Sequence, residues 1–106
     1  MKSMEVTTQE RQLNVIAEMT EYIMDEVSYA EIKSIDPFVC NDSEDIAVTL
    51  SFSRGTRFYD VTIDWKGSII DFSNKIPKHM LVDIHNGICA GYLKGITDEL
   101  FANKLK

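Results

Sequence analysis

The stretch DIAVTLSFSRGTRFYDVTIDW, residues 45–65, alternates apolar and polar side chains on both sides of a glycine. A period of two is typical of a strand with one buried face, because successive side chains point to opposite sides of a sheet. We therefore expect two antiparallel strands, at about 45–53 and 57–65. Their inward-facing residues are Ile46, Val48, Leu50 and Phe52 on the first strand and Tyr59, Val61, Ile63 and Trp65 on the second.

Two glycine-containing turns predict the register of a three-stranded meander. A two-residue loop at 54–55 joins the first two strands, and another at 66–67 adds a third strand at about 68–72. The expected cross-strand pairs are Leu50 with Tyr59, Val48 with Val61, Ile63 with Ile70, and Val61 with Phe72. All of these pairs lie on one face of the sheet. An extended stretch at about 32–40 contains Pro37, which cannot donate a ladder hydrogen bond, so we expect an edge strand or a loop there.

Before the sheet, the sequence predicts a helix from Thr7 to about Tyr29, opening with a capping box of Thr7 and Glu10. One helical face carries Leu13, Ile16, Ala17, Thr20, Ile23, Met24 and Val27. One flank of that face carries a second apolar patch, Val15, Met19 and Tyr22, and the other flank carries a polar stripe, Asn14, Glu18, Glu21 and Asp25. A helix on one sheet buries one stripe, so either the C-terminal helices or a partner chain should cover the second patch.

The C-terminal third contains two apolar sets that point in different directions on a helical wheel. The first set is Met80, Leu81, Ile84 and Ile88, and the second is Cys89, Tyr92, Leu93, Ile96 and Leu100. One straight helix cannot bury both sets in one core. The sequence therefore predicts a break near Asn86-Gly87 and two helices, at about 77–86 and 88–104, the first opening at Pro77.

Gly91 and Gly95 then fall inside the last helix, where each costs roughly 1 kcal/mol relative to alanine. Three interpretations are open. The helix is imperfect or is crossed closely by the first helix or a sheet edge; the glycines contact a helix of a partner, including a second copy of the chain; or they cradle a phosphate. The phosphate interpretation lacks the preceding strand and lysine of a Walker-type loop.

Composition narrows the classes of function. A chain of 106 residues with 44% apolar content forms one core, which predicts a single domain over residues 1–106. The formal charge of −6 opposes direct binding to nucleic acid or to anionic membranes. Neither a secretory signal nor a run of ~20 apolar residues occurs, so we expect a cytoplasmic protein with reduced cysteines.

The sequence contains no recognisable catalytic, cofactor-binding or metal-binding motif. The four candidate zinc ligands, which lack knuckle spacing, are Cys40, His79, His85 and Cys89. Cys89 is assigned to an apolar stripe, where a buried thiol is inert, and the predicted break separates it from His85. Asp60 and Asp64 lie ~13 Å apart along a strand, too far for paired acid–base chemistry. We therefore expect a non-catalytic protein without cofactor or metal.

The predicted order is an N-terminal helix, an antiparallel meander of three to four strands, and one or two C-terminal helices packed on one sheet face, an α+β fold. In element order it is similar to double-stranded-RNA-binding domains, but their basic cluster is represented here only by Lys75, Lys78 and His79. The order also resembles small phage-encoded anti-CRISPR inhibitors. That resemblance implies a short, acidic, non-enzymatic inhibitor from a phage or another mobile element.

The sequence thus predicts a module that binds another protein, as an inhibitor, immunity factor, chaperone or accessory subunit, or that forms a homodimer. The candidate partner-binding residues are Val15, Glu18, Met19, Glu21, Tyr22, Asp25, Gly91 and Gly95. One alternative is nucleic-acid mimicry, in which the polar stripe of the first helix joins Asp42, Glu44 and Asp45 to occupy a basic groove of a nucleic-acid-handling enzyme. Another is a small-ligand or enzymatic domain with a pocket near Tyr59, Trp65 and His85.

Overall fold

A computed structural model describes the backbone of residues 8–104 and the side chains of residues 8–97. The elements are α1 (Thr8–Glu26), β1 (Glu31–Val39), β2 (Ile46–Arg54), β3 (Arg57–Asp64), β4 (Ile69–Phe72) and α2 (Lys78–Lys104). The strands form one antiparallel sheet in the order β1-β2-β3-β4, which confirms the predicted α+β fold. Pro37 lies in the edge strand β1, as predicted, whereas Thr7 of the capping box lies outside the described residues.

The β2–β3 hairpin turns one residue later than predicted. Arg54 lies opposite Arg57, so the loop is Gly55-Thr56 and Leu50 faces Val61 instead of Tyr59. Gly55 has a φ of 66°, and the loop is set by this left-handed glycine at its first position. The shift amounts to two residues of register, an even number, so every inward side chain keeps its face.

The β3–β4 pairing is partly as predicted. Val61 lies opposite Phe72 as expected, but Ile63 lies opposite Ile69 instead of Ile70. A register irregularity just before Ile63 accounts for the difference, because an extra residue on one strand displaces all later pairs.

The predicted break in the C-terminal helix is wrong, since α2 continues through Gly87 to Lys104. α1 crosses α2 at the three glycines of α2, Gly87, Gly91 and Gly95. A Cβ atom built on them would lie 2.6 Å from Ile23 Cα at Gly87, 2.3 Å from Met19 Cα at Gly91, and 3.1 Å from Val15 Cα at Gly95. Both helices step by four residues in opposite directions, so they pack antiparallel. Of the three interpretations, close crossing by the first helix is confirmed.

The hydrophobic core lies between the two helices and the inner sheet face. Its helical members are Val15, Ile16, Met19, Ile23 and Val27 from α1 and Met80, Ile84 and Ile88 from α2. The second apolar patch of α1 is therefore largely covered by α2, one of the two alternatives. The predicted first face is only half correct, because Leu13, Ala17 and Met24 are exposed. The glycine contact draws the Val15–Met19 side of α1 onto α2, which turns the opposite flank outward.

The second apolar set of α2 is not buried as a group. Tyr92 and Ile96 are partly buried against the core, whereas Cys89 and Leu93 are exposed. A continuous helix buries only the set that shares a face with the glycines, so it leaves an apolar stripe on its outer side.

Candidate protein-binding surfaces

An apolar groove runs between α1 and the edge strand β1. Its walls are Leu13 and Met24 from α1 and Ile35 and Val39 from β1, which are 40–48% exposed. Ile35 pairs with the fully buried Leu50, so β1 presents these side chains on the sheet face that the helices cover. We refer to these four residues as the α1–β1 groove.

The packing of α1 explains why this groove is open. α1 contacts α2 and β2, and the flank that carries Met24 faces away from α2, toward β1. Met24 and Ile32 of β1 line one cavity of about 270 Å³ at the end of the groove. At the other end, Gln12 Oε1 accepts a hydrogen bond from the Ile46 amide at 2.7 Å, which holds the start of α1 over β2. Ile32 of β1 packs partly against the core, whereas Ile35 and Val39 stay largely exposed.

The groove is large enough to receive a structural element of another chain. From Leu13 to Met24 it extends about 17 Å along α1, the length of three helical turns. Single exposed apolar residues are normal on protein surfaces, but four large ones on two elements of the same layer pair are typical of an interaction site. Sequence reasoning missed this groove, because Leu13 and Met24 have the same periodicity as the buried residues of α1.

Three carboxylates form a row along the outer side of α1. Glu21 and Asp25 are exposed and Glu18 is half-buried. Together with Tyr22 and Lys94 of α2, they line a shallow depression of about 270 Å³. The predicted acidic stripe is thus a surface feature, and Tyr22 lies at its base, half-buried. We refer to Glu18, Glu21 and Asp25 as the acidic row.

The remaining predicted partner-binding residues are not on the surface. Val15 and Met19 are buried, and Gly91 and Gly95 lie against them inside the chain's own helix contact. In the folded chain these four residues therefore belong to the core contact between α1 and α2.

The loop acids do not extend the acidic row. Asp42, Glu44 and Asp45 lie beside the start of α1, where Gln12 Nε2 donates a hydrogen bond to the Asp45 carboxylate at 2.8 Å. Along α1, Gln12 and Asp25 are about 20 Å apart. The loop acids therefore lie beside the first turns of α1, and the acidic row begins about 9 Å further along the helix at Glu18 and ends about 20 Å along it at Asp25.

The predicted ligand pocket is not assembled either. Tyr59 lies near the opposite end of β3 from Trp65, and His85 is on the exposed side of α2. Trp65 instead borders a cleft of about 240 Å³ lined by Thr8, Arg11, Gln12, Val15, Trp65 and Ile96. The buried Trp65 Nε1 has no hydrogen-bond partner among the described residues.

The cysteine and histidine of α2 are close together, contrary to the prediction. Because the helix is continuous, Cys89 Sγ lies 3.5 Å from His85 Nε2. Cys89 is also exposed and not part of a buried stripe. Among the described residues, no three or more His, Cys, Asp or Glu side chains converge closely enough to hold a metal ion.

A polar cluster that the sequence did not reveal joins the start of α2 to the end of α1. The Tyr29 hydroxyl donates a hydrogen bond to Asp83 Oδ2 at 2.6 Å, and the Arg54 guanidinium lies 4.8 Å from the centre of the Tyr29 ring. Arg54 Nη1 donates to His79 Nε2 at 3.1 Å. Burial and then the Asp83 carboxylate raise the pKa of Tyr29 to about 12. Its four members, Tyr29, Arg54, His79 and Asp83, come from three separate segments of the chain, so no local pattern could predict the cluster.

No helix in the described part of the chain combines the length and the apolar character needed to cross a membrane. Comparison with protein-family models, with curated proteins and with solved structures found no match.

Proposed function

We propose that this chain is a non-catalytic protein-binding module whose partner inserts an apolar segment into the α1–β1 groove. The observation that supports this function is that Leu13 and Met24 of α1 are 40–44% exposed, while β1 presents the similarly exposed Ile35 and Val39 on the sheet face against which α1 packs. Full burial of such a side chain contributes about 1.5–3 kcal/mol, so covering the exposed part of each contributes about 1 kcal/mol. The total of about 4 kcal/mol, before the cost of association, is a substantial part of a specific interaction.

The shape and charge of the groove favour a basic amphipathic helix as the inserted segment. A helix there would lie in the same layer as α1 and α2 and cover the bare inner face of β1. Glu21 precedes Met24 by three residues, so this one carboxylate of the acidic row lies at the rim of the groove, whereas the row as a whole lies toward Lys94 of α2. Lysine or arginine beside the apolar face of the partner helix would complement this rim. Inhibitor, immunity factor, chaperone and accessory subunit in the cytoplasm are roles that such a module can fill.

The groove can be tested by capture of partners from nuclease-treated lysate of the source organism. The bait proteins are the unaltered chain, Met24→Lys, Ile35→Lys and the control Phe58→Lys. Phe58 is 70% exposed and lies on the opposite sheet face. We expect one dominant protein to be retained by the unaltered chain and by the control and to be lost with both groove variants. Retention by the groove variants, with unchanged thermal stability, would exclude the groove as the binding site.

The acidic row supports a second candidate, electrostatic mimicry of a nucleic acid toward a basic partner. Its carboxylates lie on one exposed line of α1, although Lys94 lies beside them. Mimicry requires binding to weaken steeply between low and moderate salt, because charge attraction is screened. It also requires Glu21→Lys and Asp25→Lys to abolish binding, while Met24→Lys has a small effect. If the partner binds in the α1–β1 groove, Met24→Lys should instead weaken binding more than Glu21→Lys or Asp25→Lys.

A further inference from the structure

The outer side of α2 carries a heptad pattern of which, among the described side chains, only Ile96 packs partly against the core. Its members are separated by alternating steps of four and three residues, and they are Val82, Asn86, Cys89, Leu93, Ile96 and Leu100. This is the spacing of the a and d positions in a coiled coil, with Asn86 and Leu93 at a and Val82 and Cys89 at d. We refer to Val82, Asn86, Cys89 and Leu93 as the α2 seam.

The α2 seam faces solvent along its whole described length. Val82 is 53% exposed and Leu93 is 68% exposed, and Asn86 and Cys89 are also exposed. The seam lies on the side of α2 opposite the glycines that contact α1, so it points directly away from the core. Leu93 therefore points into solvent, and no other described residue of the chain covers it.

We propose that the α2 seam packs in parallel against the α2 seam of a second copy of the chain. A side chain at a or d fills a hole only on a helix with the same repeat, and a second α2 supplies that repeat in register. In the parallel arrangement each a or d residue lies beside the same residue of the second copy. Asn86 then pairs with the Asn86 of the second copy, and a single asparagine at an a position is the device that selects register in two-stranded coiled coils.

The charge distribution also favours a second copy on this side. Two chains of net charge −6 repel each other unless they meet on a face of low charge. Within residues 82–97 the only acidic or basic residues besides His85 are Asp83 and Lys94, and Asp83 accepts the hydrogen bond from Tyr29. The acidic row lies on α1 and the loop acids lie beside its start. The parallel pair thus brings the two chains together on a charge-poor side.

The length of the seam limits the strength of the dimer. From Val82 to Leu93 the helix rises about 17 Å, a contact only one helix wide. A standard interface buries about 800 Å² on each partner, and the seam offers less than that. We therefore expect a weak dimer, with a dissociation constant on the order of 10–100 μM. Its formation does not depend on the α1–β1 groove.

Sedimentation analysis of the full chain across this concentration range tests the dimer. The informative variant is Leu93→Lys, which places two lysines in one layer, and the control is Phe58→Lys. The two positions are matched, with exposures of 68% and 70%. We expect Leu93→Lys to weaken the dimer at least about tenfold, while Phe58→Lys leaves it unchanged. Monomers at all concentrations, or a dimer insensitive to Leu93→Lys in a variant with unchanged circular dichroism, would overturn the proposal.

Cross-linking at Cys89 tests the parallel arrangement separately. In a Cys40→Ser background, copper-phenanthroline should oxidise two Cys89 thiols to one disulfide, because parallel d layers bring them within disulfide distance. The covalent dimer should decrease with Leu93→Lys. An antiparallel pair that matches the α2 seam with itself sets Cys89 opposite Asn86 of the second copy, so a dimer that cross-links in an Asn86→Cys variant but not through Cys89 alone would refute the parallel register.

Discussion

Gly91→Ala is the substitution that most directly tests the contact between α1 and α2. The added Cβ would lie 2.3 Å from Met19 Cα and 2.7 Å from the Glu18 carbonyl oxygen. Both are backbone atoms, so no side-chain rotation relieves the overlap. The helices must separate by more than about 1 Å at this point to restore an ordinary carbon–carbon contact.

The size of the effect follows from two opposing contributions. Alanine is better than glycine in a helix interior by about 1 kcal/mol. Overpacking costs about 1–3 kcal/mol. We expect the upper end of this range, because separating the helices by about 1 Å weakens each neighbouring dispersion contact by a quarter to a half. The net loss in the free energy of unfolding is about 2 kcal/mol. For a domain of this size it lowers Tm by about 10 °C.

Urea unfolding followed by helical circular dichroism measures this loss, and Gly95→Ala is the matched control. A Cβ at Gly95 lies 3.1 Å from Val15 Cα, so a shift of a few tenths of an ångström accommodates it. The gain in helix propensity then offsets the strain, and we expect a free energy of unfolding within about 1 kcal/mol of the unaltered chain. If Gly91→Ala is as stable as Gly95→Ala, α1 and α2 do not pack as closely as described.

Three further predictions follow from single side chains. Met19→Ala should lower the free energy of unfolding by about 2–5 kcal/mol in urea, because Met19 is buried, and a loss below about 1 kcal/mol would place it at the surface instead. Gly55→Ala should cost about 1 kcal/mol in the same assay although a Cβ there touches nothing, because its φ of 66° is left-handed. The pKa of Tyr29 should be near 12, measured as the phenolate absorbance that the unaltered chain shows and the Tyr29→Phe variant lacks. Asp83→Asn should lower this pKa, because the Asp83 carboxylate is the second cause of its increase, next to burial. Because the unfolded chain loses this proton near pH 10, the contribution of Tyr29 to stability is present below about pH 10 and lost as the pH rises to about 12. A Tyr29 pKa unaffected by Asp83→Asn would contradict this coupling.

The acidic row was predictable from sequence, because Glu18, Glu21 and Asp25 share one helical side and carboxylates stay in water unless they are paired. The α1–β1 groove was not. Leu13 and Met24 follow the same spacing as the buried Ile16 and Ile23, and periodicity cannot tell which flank a neighbouring helix will cover.

The sequence by itself determined the elements whose signal is local: the alternating strands, the glycine turns, the edge position of the strand with Pro37, and two helical regions. Only the tertiary structure decided how those helices meet. Gly91 and Met19 are distant in sequence, and their close approach keeps α2 unbroken and turns α1 on its axis. This contact determines both proposed surfaces. Because the glycine side of α2 is buried, Leu93 on its other side is exposed, and because α1 packs toward α2, Ile35 of β1 is left uncovered. Local patterns cannot encode which faces remain exposed, since burial is a property of pairs of elements and not of either one alone.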